Sequence, residues 1–288
     1  MPELIFGCGY VGQRLAYHYL RRGSAVFGVV RSSTTAEVML SQGVGALQAD
    51  LDHGPLPELP LQDANLFYFI PPPKTGETDT RVRRLIADFK RQGNPRRVVY
   101  LSTTGVYGDC NGEWVNEERP ANPKVSRAKR RWDAESCFRQ WRNDTGGELI
   151  VLRVAGIYGP DKLPLERLRK GLPLVRKEES PWTNRIHIDD LVQACLAAME
   201  RGRNSEVYNV SDGSPGVMID YFNLIAELAG LPYPPPISLA QAESQLSKGM
   251  LSYMRESRRV DSSKMRRELG ISLIYPSMES GLPACFSK

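Results

Sequence analysis

The tightest constraint in this chain is the stretch "ELIFGCGYVGQRL", residues 3–15. A short apolar run that stops at glycine reads as a buried strand. The continuation "YVGQRLAYHYLRRG" sets Val11, Leu15, Tyr19 and Leu20 on one side and stops at Gly23, which reads as a helix with its C-terminal signal. At the junction, Gly7, Gly9 and Gly12 fall in the pattern G-x-G-x-x-G. Alone the pattern is weak; between a strand and a helix it acquires a mechanism. Gly7 makes the tight turn, Gly9 lets backbone approach a pyrophosphate, and Gly12 lets the helix pack close to the strand. The helix N-terminus then offers its positive end to the phosphates.

The same alternation continues. "AVFGVVR" reads as a second buried strand, "TAEVMLSQG" as a short helix, "GALQADL" and "ANLFYFI" as the third and fourth strands. "TRVRRLIADFKRQG" is a helix with Val82, Leu85, Ile86 and Phe89 on its apolar stripe, and "RRVVYLST" is a fifth strand. A basic helix follows, with Val125, Ala128, Trp132, Phe138 and Trp141 near one stripe, and then "ELIVLRVAGIYG" as a sixth strand. Unbroken apolar strands alternating with helices imply a parallel sheet covered on both faces. Right-handed crossovers make it doubly wound. The expected class is α/β, a doubly wound parallel Rossmann sheet with a smaller C-terminal substrate-side domain. After Gly159 the pattern loosens: Pro160 to Arg185 is loop-rich, "RIHIDDLVQACLAAMERG" restores a strand-like entry and a strong helix, and "EVYNVSD" is another strand. The expected division is residues 1–160 plus about 186–212 for the dinucleotide-type domain, and about 161–185 plus 213–288 for the part that closes over the strand ends.

Composition removes several alternatives. A net charge of +5 over 288 residues admits anionic ligands such as phosphates without demanding nucleic acid. The five cysteines, Cys8, Cys110, Cys137, Cys195 and Cys285, form no CxxC pair, and there are only three histidines. That argues against a disulfide framework or a zinc site, so no metal is expected and a reducing cytoplasm fits. The N-terminus lacks a basic leader and no apolar run could span a bilayer, so neither a signal peptide nor a membrane partner is expected.

A second test of the glycine turn lies about twenty residues on, at the end of the second strand, where an acid would hold the ribose hydroxyls of NAD. The chain reads "VVRSS" there. Arg31 supplies a cation, and Ser32 and Ser33 supply donors, for a 2′-phosphate. The expected cofactor is therefore NADP rather than NAD. Asp50 ends the third strand in "QADL", placed to accept from an adenine amino group.

Taken in order, "GCGYVG", "ADL", "LSTTGVYG" (Leu101 to Gly108), "LRVAGIYGP" (Leu152 to Pro160), "RIHIDDLVQA" and "RRVDSSKMRRELG" resemble the motifs of the extended short-chain dehydrogenase/reductase family, the group of NAD(P)-dependent epimerases and dehydratases. The likeness covers nearly the whole chain. It implies cofactor contacts from Gly7, Gly9, Tyr10, Val11 and Gly12, from Arg31, Ser32 and Ser33, from Asp50 and Leu51, and from Ile70 and Pro71. The family's chemistry uses a Ser or Thr, a Tyr, and a Lys four residues after the Tyr, with the Lys tuning the phenol for general acid–base work. The "VYG" anchor places Thr103 at the Ser/Thr position. No tyrosine occurs between Tyr107 and Tyr158. Anchoring on Pro123 puts Lys124 and Ala128 at the dyad positions, and anchoring on Glu135 puts Arg127 and Arg131 there. The registers between give Val125 with Lys129 or Ser126 with Arg130. The resemblance is thus to an atypical member that lacks the Tyr-x-x-x-Lys dyad. Pro71, Pro72 and Pro73 also depart from the family's small residues after the fourth strand, and they remove backbone donors.

Two functions follow. One is an enzyme with a rearranged acid/base, for which Tyr107, Tyr158, Lys129 and His187 are candidates and Thr103 and Thr104 bind a substrate oxygen. Its pocket would draw on Trp182, Asn184 and Arg185, with Arg185 clamping an anionic substrate or pairing with Asp189 or Asp190. The substrate class is a small molecule, a sugar nucleotide or another anionic carbonyl or hydroxyl compound. The alternative is a non-catalytic NADP-binding redox sensor or partner-binding protein. Nucleic-acid binding by the basic helix lacks stacking aromatics and a groove-reading motif. Neither that helix nor the one at Thr80 shows a second apolar face, and Arg81, Arg84 and Arg91 would meet Arg-rich neighbours, so a monomer is expected in place of the family's four-helix-bundle dimer.

Overall fold

The computed structural model describes residues 1–287. Seven strands form one parallel sheet: β1 (Glu3–Phe6), β2 (Val26–Val30), β3 (Gly45–Gln48), β4 (Asn65–Tyr68), β5 (Arg97–Thr103), β6 (Glu148–Val154) and β7 (Val207–Val210). Their spatial order is 3-2-1-4-5-6-7. The order reverses between β1 and β4, and a doubly wound sheet opens its ligand crevice at such a reversal.

Alternation along the strands fills two cores. Ile5 points to one face, where it packs with Leu15 and Tyr19 of helix α1 (Tyr10–Arg21). Leu4 and Phe6 point to the other, with Leu85 and Phe89 of helix α3 (Thr80–Gln92). Helix α2 (Ser33–Ser41) lies between these two in sequence and follows β2. Helix α4 (Ser126–Thr145) adds Phe138 and Trp141 to the second core, and helix α5 (Ile188–Arg201) adds Leu191 and Cys195 to the first. No helix among the described residues is long and apolar enough to cross a membrane.

The stretch read as one sixth strand divides. Glu148–Val154 stays in the sheet, while Gly156–Tyr158 leaves it and pairs in parallel with Arg185–His187. Gly156 allows the departure: a Cβ there would stand 3.2 Å from the Arg185 guanidinium and from the Asn184 carbonyl. Around this side pair, Tyr158, Leu168 and Ile225 make a third core with Leu282. Helix Ser263–Leu269, although late in the chain, packs Met265 and Leu269 onto the first core.

Arg81, Arg83 and Arg91 of α3 are paired with carboxylates instead of standing as a repulsive row. Arg81 binds Asp52 (2.7 and 2.5 Å), Arg91 binds Asp88 (2.6 Å), and Arg83 pairs with Asp133 on α4. Beneath α4 the apolar stripe is interrupted by Glu135, which has no solvent exposure. It accepts from Ser102 Oγ on β5 (2.6 Å), from Arg153 Nε and Nη2 on β6 (3.2 and 2.9 Å), and from Arg139 (2.7 Å). Arg153 is itself only 3% exposed. A second buried acid, Asp212, follows β7; its Oδ1 accepts from the Ser214 N–H (2.9 Å) and its Oδ2 has no partner. Burial pushes this carboxyl up to about 7.

Two outcomes follow. Glu135→Ala leaves the Arg153 charge buried and uncompensated, and is expected to lower the unfolding free energy in urea titration by about 3–5 kcal/mol. A loss under about 1 kcal/mol would show that the network adds nothing. Asp212 ionises near its ordinary 3.8 when unfolded but near 7 in the fold, so between these values the folded chain holds the extra proton. Its contribution to stability is therefore present at low pH and lost as pH rises toward 7. Thermal melts are expected to show a smaller decline from about pH 5 to about pH 8 in Asp212→Asn than in wild type; equal declines would refute the assignment.

Candidate functional site

The C-terminal ends of β1, β2, β4 and β5 open onto a cavity of about 980 Å³. Its floor is the glycine turn. Gly7 has φ +87°, a conformation that side chains disfavour, and a Cβ there would stand 2.8 Å from the Ile70 nitrogen. At Gly9 no atom lies within 4 Å of the Cβ position, so a side chain there would grow into the cavity the residue lines. Gly9 also starts α1 without a side-chain cap, which leaves the first N–H groups of the helix to a ligand. Gly12 does not line the cavity; its Cβ would stand 2.9 Å from Ile5, so its part is the close packing of α1 on β1. This cradle fits a pyrophosphate. Tyr10 and Val11 complete it. The Tyr10 hydroxyl donates to the Pro160 carbonyl (2.6 Å), and burial pushes the phenol up to about 12.

On the β2 and β3 side, Arg31 is exposed at the strand end and Ser32 caps α2, its Oγ accepting from the Thr35 N–H at 3.4 Å. Arg31, Ser32 and Thr35 line the cavity; Ser33, the first residue of α2, does not. Asp50 and Leu51 line it too. Asp50 accepts from the Asp52 N–H (2.8 Å) and contacts His53 Nδ1 (3.0 Å), and these bonds hold its carboxyl below the usual range. Arg81 clamps Asp52 and also donates to the Pro71 carbonyl (2.7 Å), so it ties the exit of β3 to the proline loop.

On the β4 and β5 side the lining is Ile70, Pro71, Pro72, Lys74, Leu101 and Arg131. Arg131 Nη1 lies 3.0 Å from the Leu101 carbonyl, 3.4 Å from the Tyr100 hydroxyl and 3.5 Å from the Ile70 carbonyl. Of the four registers open in the sequence, the one with Arg127 and Arg131 thus puts its second member in the cleft. Arg127 turns away: its guanidinium stacks 4.1 Å over the Tyr253 ring and bonds to Ser252. Lys129 pairs with Glu77 at 2.7 Å.

The other candidates stand outside the cavity lining. Thr103, half-buried at the end of β5, accepts from the Gly105 N–H (3.1 Å), and Thr104 is buried. Tyr107 is buried with its hydroxyl donating to Asn209 Oδ1 (2.7 Å) and the Arg153 guanidinium 4.8 Å over its ring. The Tyr158 hydroxyl lies 3.4 Å from the Ser277 carbonyl. His187 caps α5 by accepting from the Asp189 N–H (3.2 Å), and burial lowers its pKa. Arg185 pairs with neither Asp189 nor Asp190; it stacks 3.8 Å over the Tyr221 ring. Asn184 bridges the Arg258 carbonyl and the Val260 N–H (3.0 and 2.8 Å), and Trp182 lies 5.3 Å from the Arg259 guanidinium. Sequence reading missed Thr35, Asp52, Lys74, Arg81 and Lys162. Only Asp52, two residues past Asp50, had a local signal. No group of three or more His, Cys, Asp or Glu among the described residues is placed to hold a metal.

The protein YeeZ of Escherichia coli K12 is 25% identical over 285 residues, covering 94% of this chain and 95% of its own. A solved structure of a functionally unknown conserved protein from Silicibacter pomeroyi is 32% identical and superposes with a TM-score of 0.84 over 99% of this chain and 97% of its own. UDP-glucuronic acid 4-epimerase from Bacillus cereus, solved in complex with NAD, superposes with a TM-score of 0.78 at 18% identity over 99% and 97%, which establishes a shared fold. Residues 4–211 match the NAD dependent epimerase/dehydratase family. That match begins inside β1 and ends just past β7, so it takes in every strand of the sheet and all the residues of the cleft, and this chain belongs to the NAD dependent epimerase/dehydratase family.

Proposed function

We propose that this chain is an NADP(H)-dependent enzyme of the oxidoreductase or epimerase/dehydratase type, acting on a small molecule without a Tyr-x-x-x-Lys dyad. One observation carries the cofactor choice: β2 ends in Arg31, and no carboxylate lines the cleft there. The nearest acids, Asp50 and Asp52, are engaged with the Asp52 N–H, His53 and Arg81. In this reading Gly7, Gly9, Tyr10 and Val11 hold the pyrophosphate against α1, and Gly12 keeps the helix close to the strand. Arg31, with Ser32 at the N-cap of α2, takes the 2′-phosphate, and Ser33, which lies off the lining, is left out of the contact. Asp50 and Leu51 meet the adenine, and Ile70 and Pro71 the other end. The bound cofactor supplies hydride exchange.

Thr103, at the end of β5 two residues past the lining residue Leu101, is the hydroxyl we propose for a substrate oxygen, although it and the buried Thr104 lie off the lining and Thr103 accepts from the Gly105 N–H. Tyr107 supports that turn through Asn209 instead of delivering a proton. Tyr158, raised above the ordinary phenol range by burial, and Arg185, stacked on Tyr221, stand outside the cleft lining and take no part in it here. A second reading, a non-catalytic NADP-binding redox sensor, draws on one fact: the α4 side chain in the cleft is a guanidinium, which releases no proton near neutral pH. Turnover of bound NADPH with a carbonyl substrate separates the two.

Calorimetric titration is expected to show tighter binding of NADPH than of NADH. Arg31→Ala should weaken NADPH about tenfold or more and leave NADH nearly unchanged. Equal affinities for both, untouched by the substitution, would sink the cofactor assignment. The outward charges of α3 and α4 are used within the chain, so light scattering is expected to give the mass of one chain; twice that mass would overturn the monomer.

A further inference from the structure

Five cations line the cleft, Arg31, Lys74, Arg81, Arg131 and Lys162, against two carboxylates, Asp50 and Asp52. Both carboxylates stand just past β3, and Asp52 is taken by Arg81. The end of the cleft where β4 and β5 stop has none. Its central cation is Arg131. All protein contacts of that guanidinium use one nitrogen, Nη1, and all go to uncharged oxygens. Among the described residues, Nε and Nη2 bond to no protein atom. The ammonium groups of Lys74 and Lys162 likewise have no ion pair; Lys162 stands 5.2 Å over the Tyr10 ring.

In the dinucleotide reading, the cofactor's phosphates lie away from the free edge of Arg131. In that reading the cofactor crosses the sheet from β2 past β1 to β4 and β5. Its phosphates fall at Arg31 and at the glycine turn. Strands lie ~4.8 Å apart, so β5 is about 10 Å from β1 in the sheet order. The nicotinamide end is neutral when reduced and cationic when oxidised. The guanidinium there bonds only to uncharged protein oxygens; the buried Asp79 carboxylate feels its charge without bonding to it and lies outside the cleft lining. A guanidinium edge formed by Nε and Nη2 is the shape that takes two oxygens of one anion.

We infer that Arg131, with Lys74 and Lys162 at the rim, forms an anion subsite, and that the substrate of this cleft bears a carboxylate or a phosphate. The inference rests on the dinucleotide reading of the same cleft. It makes Arg131 a substrate-positioning residue and assigns it no proton transfer.

The test begins with NADP⁺ binding to wild type, Arg131→Met and Arg131→Lys. Each protein, saturated with NADP⁺, is then titrated with oxalate and with inorganic phosphate. Saturation keeps the phosphate probe out of the pyrophosphate cradle. Wild type is expected to bind at least one probe. Arg131→Met should lose tenfold or more in that affinity, and Arg131→Lys should keep part of it, with melting temperatures showing that both variants are folded. Preference for oxalate points to a carboxylate substrate, and preference for phosphate to a phosphorylated one. Binding of neither probe by wild type, or equal binding by Arg131→Met, overturns the subsite. Loss of NADP⁺ affinity in Arg131→Met without any probe binding overturns it too, because the guanidinium then serves the cofactor. Failure of wild type to bind NADP⁺ removes the dinucleotide reading and the subsite with it.

Discussion

Glu135 lies under α4 with no solvent exposure, and side chains from β5, β6 and α4 itself converge on its two oxygens. An ion pair buried this deeply returns little net free energy, since desolvation offsets most of the attraction. What it does fix is register. The apolar packing of Phe138 and Trp141 seats α4 but is itself non-directional. A carboxylate that must meet Ser102 and Arg153 allows one placement. Arg131 lies one turn before Glu135 on the same side of the helix, so the anchor that seats the helix also aims the guanidinium at the ends of β4 and β5. Arg153 continues the chain of dependence, because it stands over Tyr107 in the turn that follows β5.

The rest of the cleft is shaped by what the backbone leaves out. Gly7 turns where a side chain would strike the chain leaving β4, and Gly9 keeps open the space at the start of α1. The proline loop is held by an acceptor rather than by donors: the Pro71 carbonyl receives Arg81, which also reaches Asp52. One arginine therefore joins the exits of β3 and β4 across the cavity mouth.

Much of this was legible in the sequence, for identifiable reasons. The glycine turn and the strands carry local signals, because steric limits on φ and the period of burial act over a few residues. Arg31 was legible because its place is fixed by counting from that turn. The register of α4 was not, since each step along a helix rotates a side chain by about 100° and only Glu135 and its distant partners decide which cation enters. Lys74 and Lys162 sit on loops whose paths depend on contacts such as Tyr10 with Pro160. Tyr107 and Tyr158 looked available because they flank the gap where a phenol belongs; the fold spends them on Asn209 and on the Ser277 carbonyl. The break at Gly156 was hidden because apolar residues continue on both sides of it.

The imbalance of five cations over two carboxylates acts before any contact is made. A concave site with low-dielectric walls focuses its field outward, and an approaching polyanion is drawn and oriented by it within about a Debye length, roughly 8 Å at physiological salt. For any anionic ligand of such a cleft, the field would act on the speed of arrival as well as on the strength of the contact, and ionic strength would govern the first more than the second.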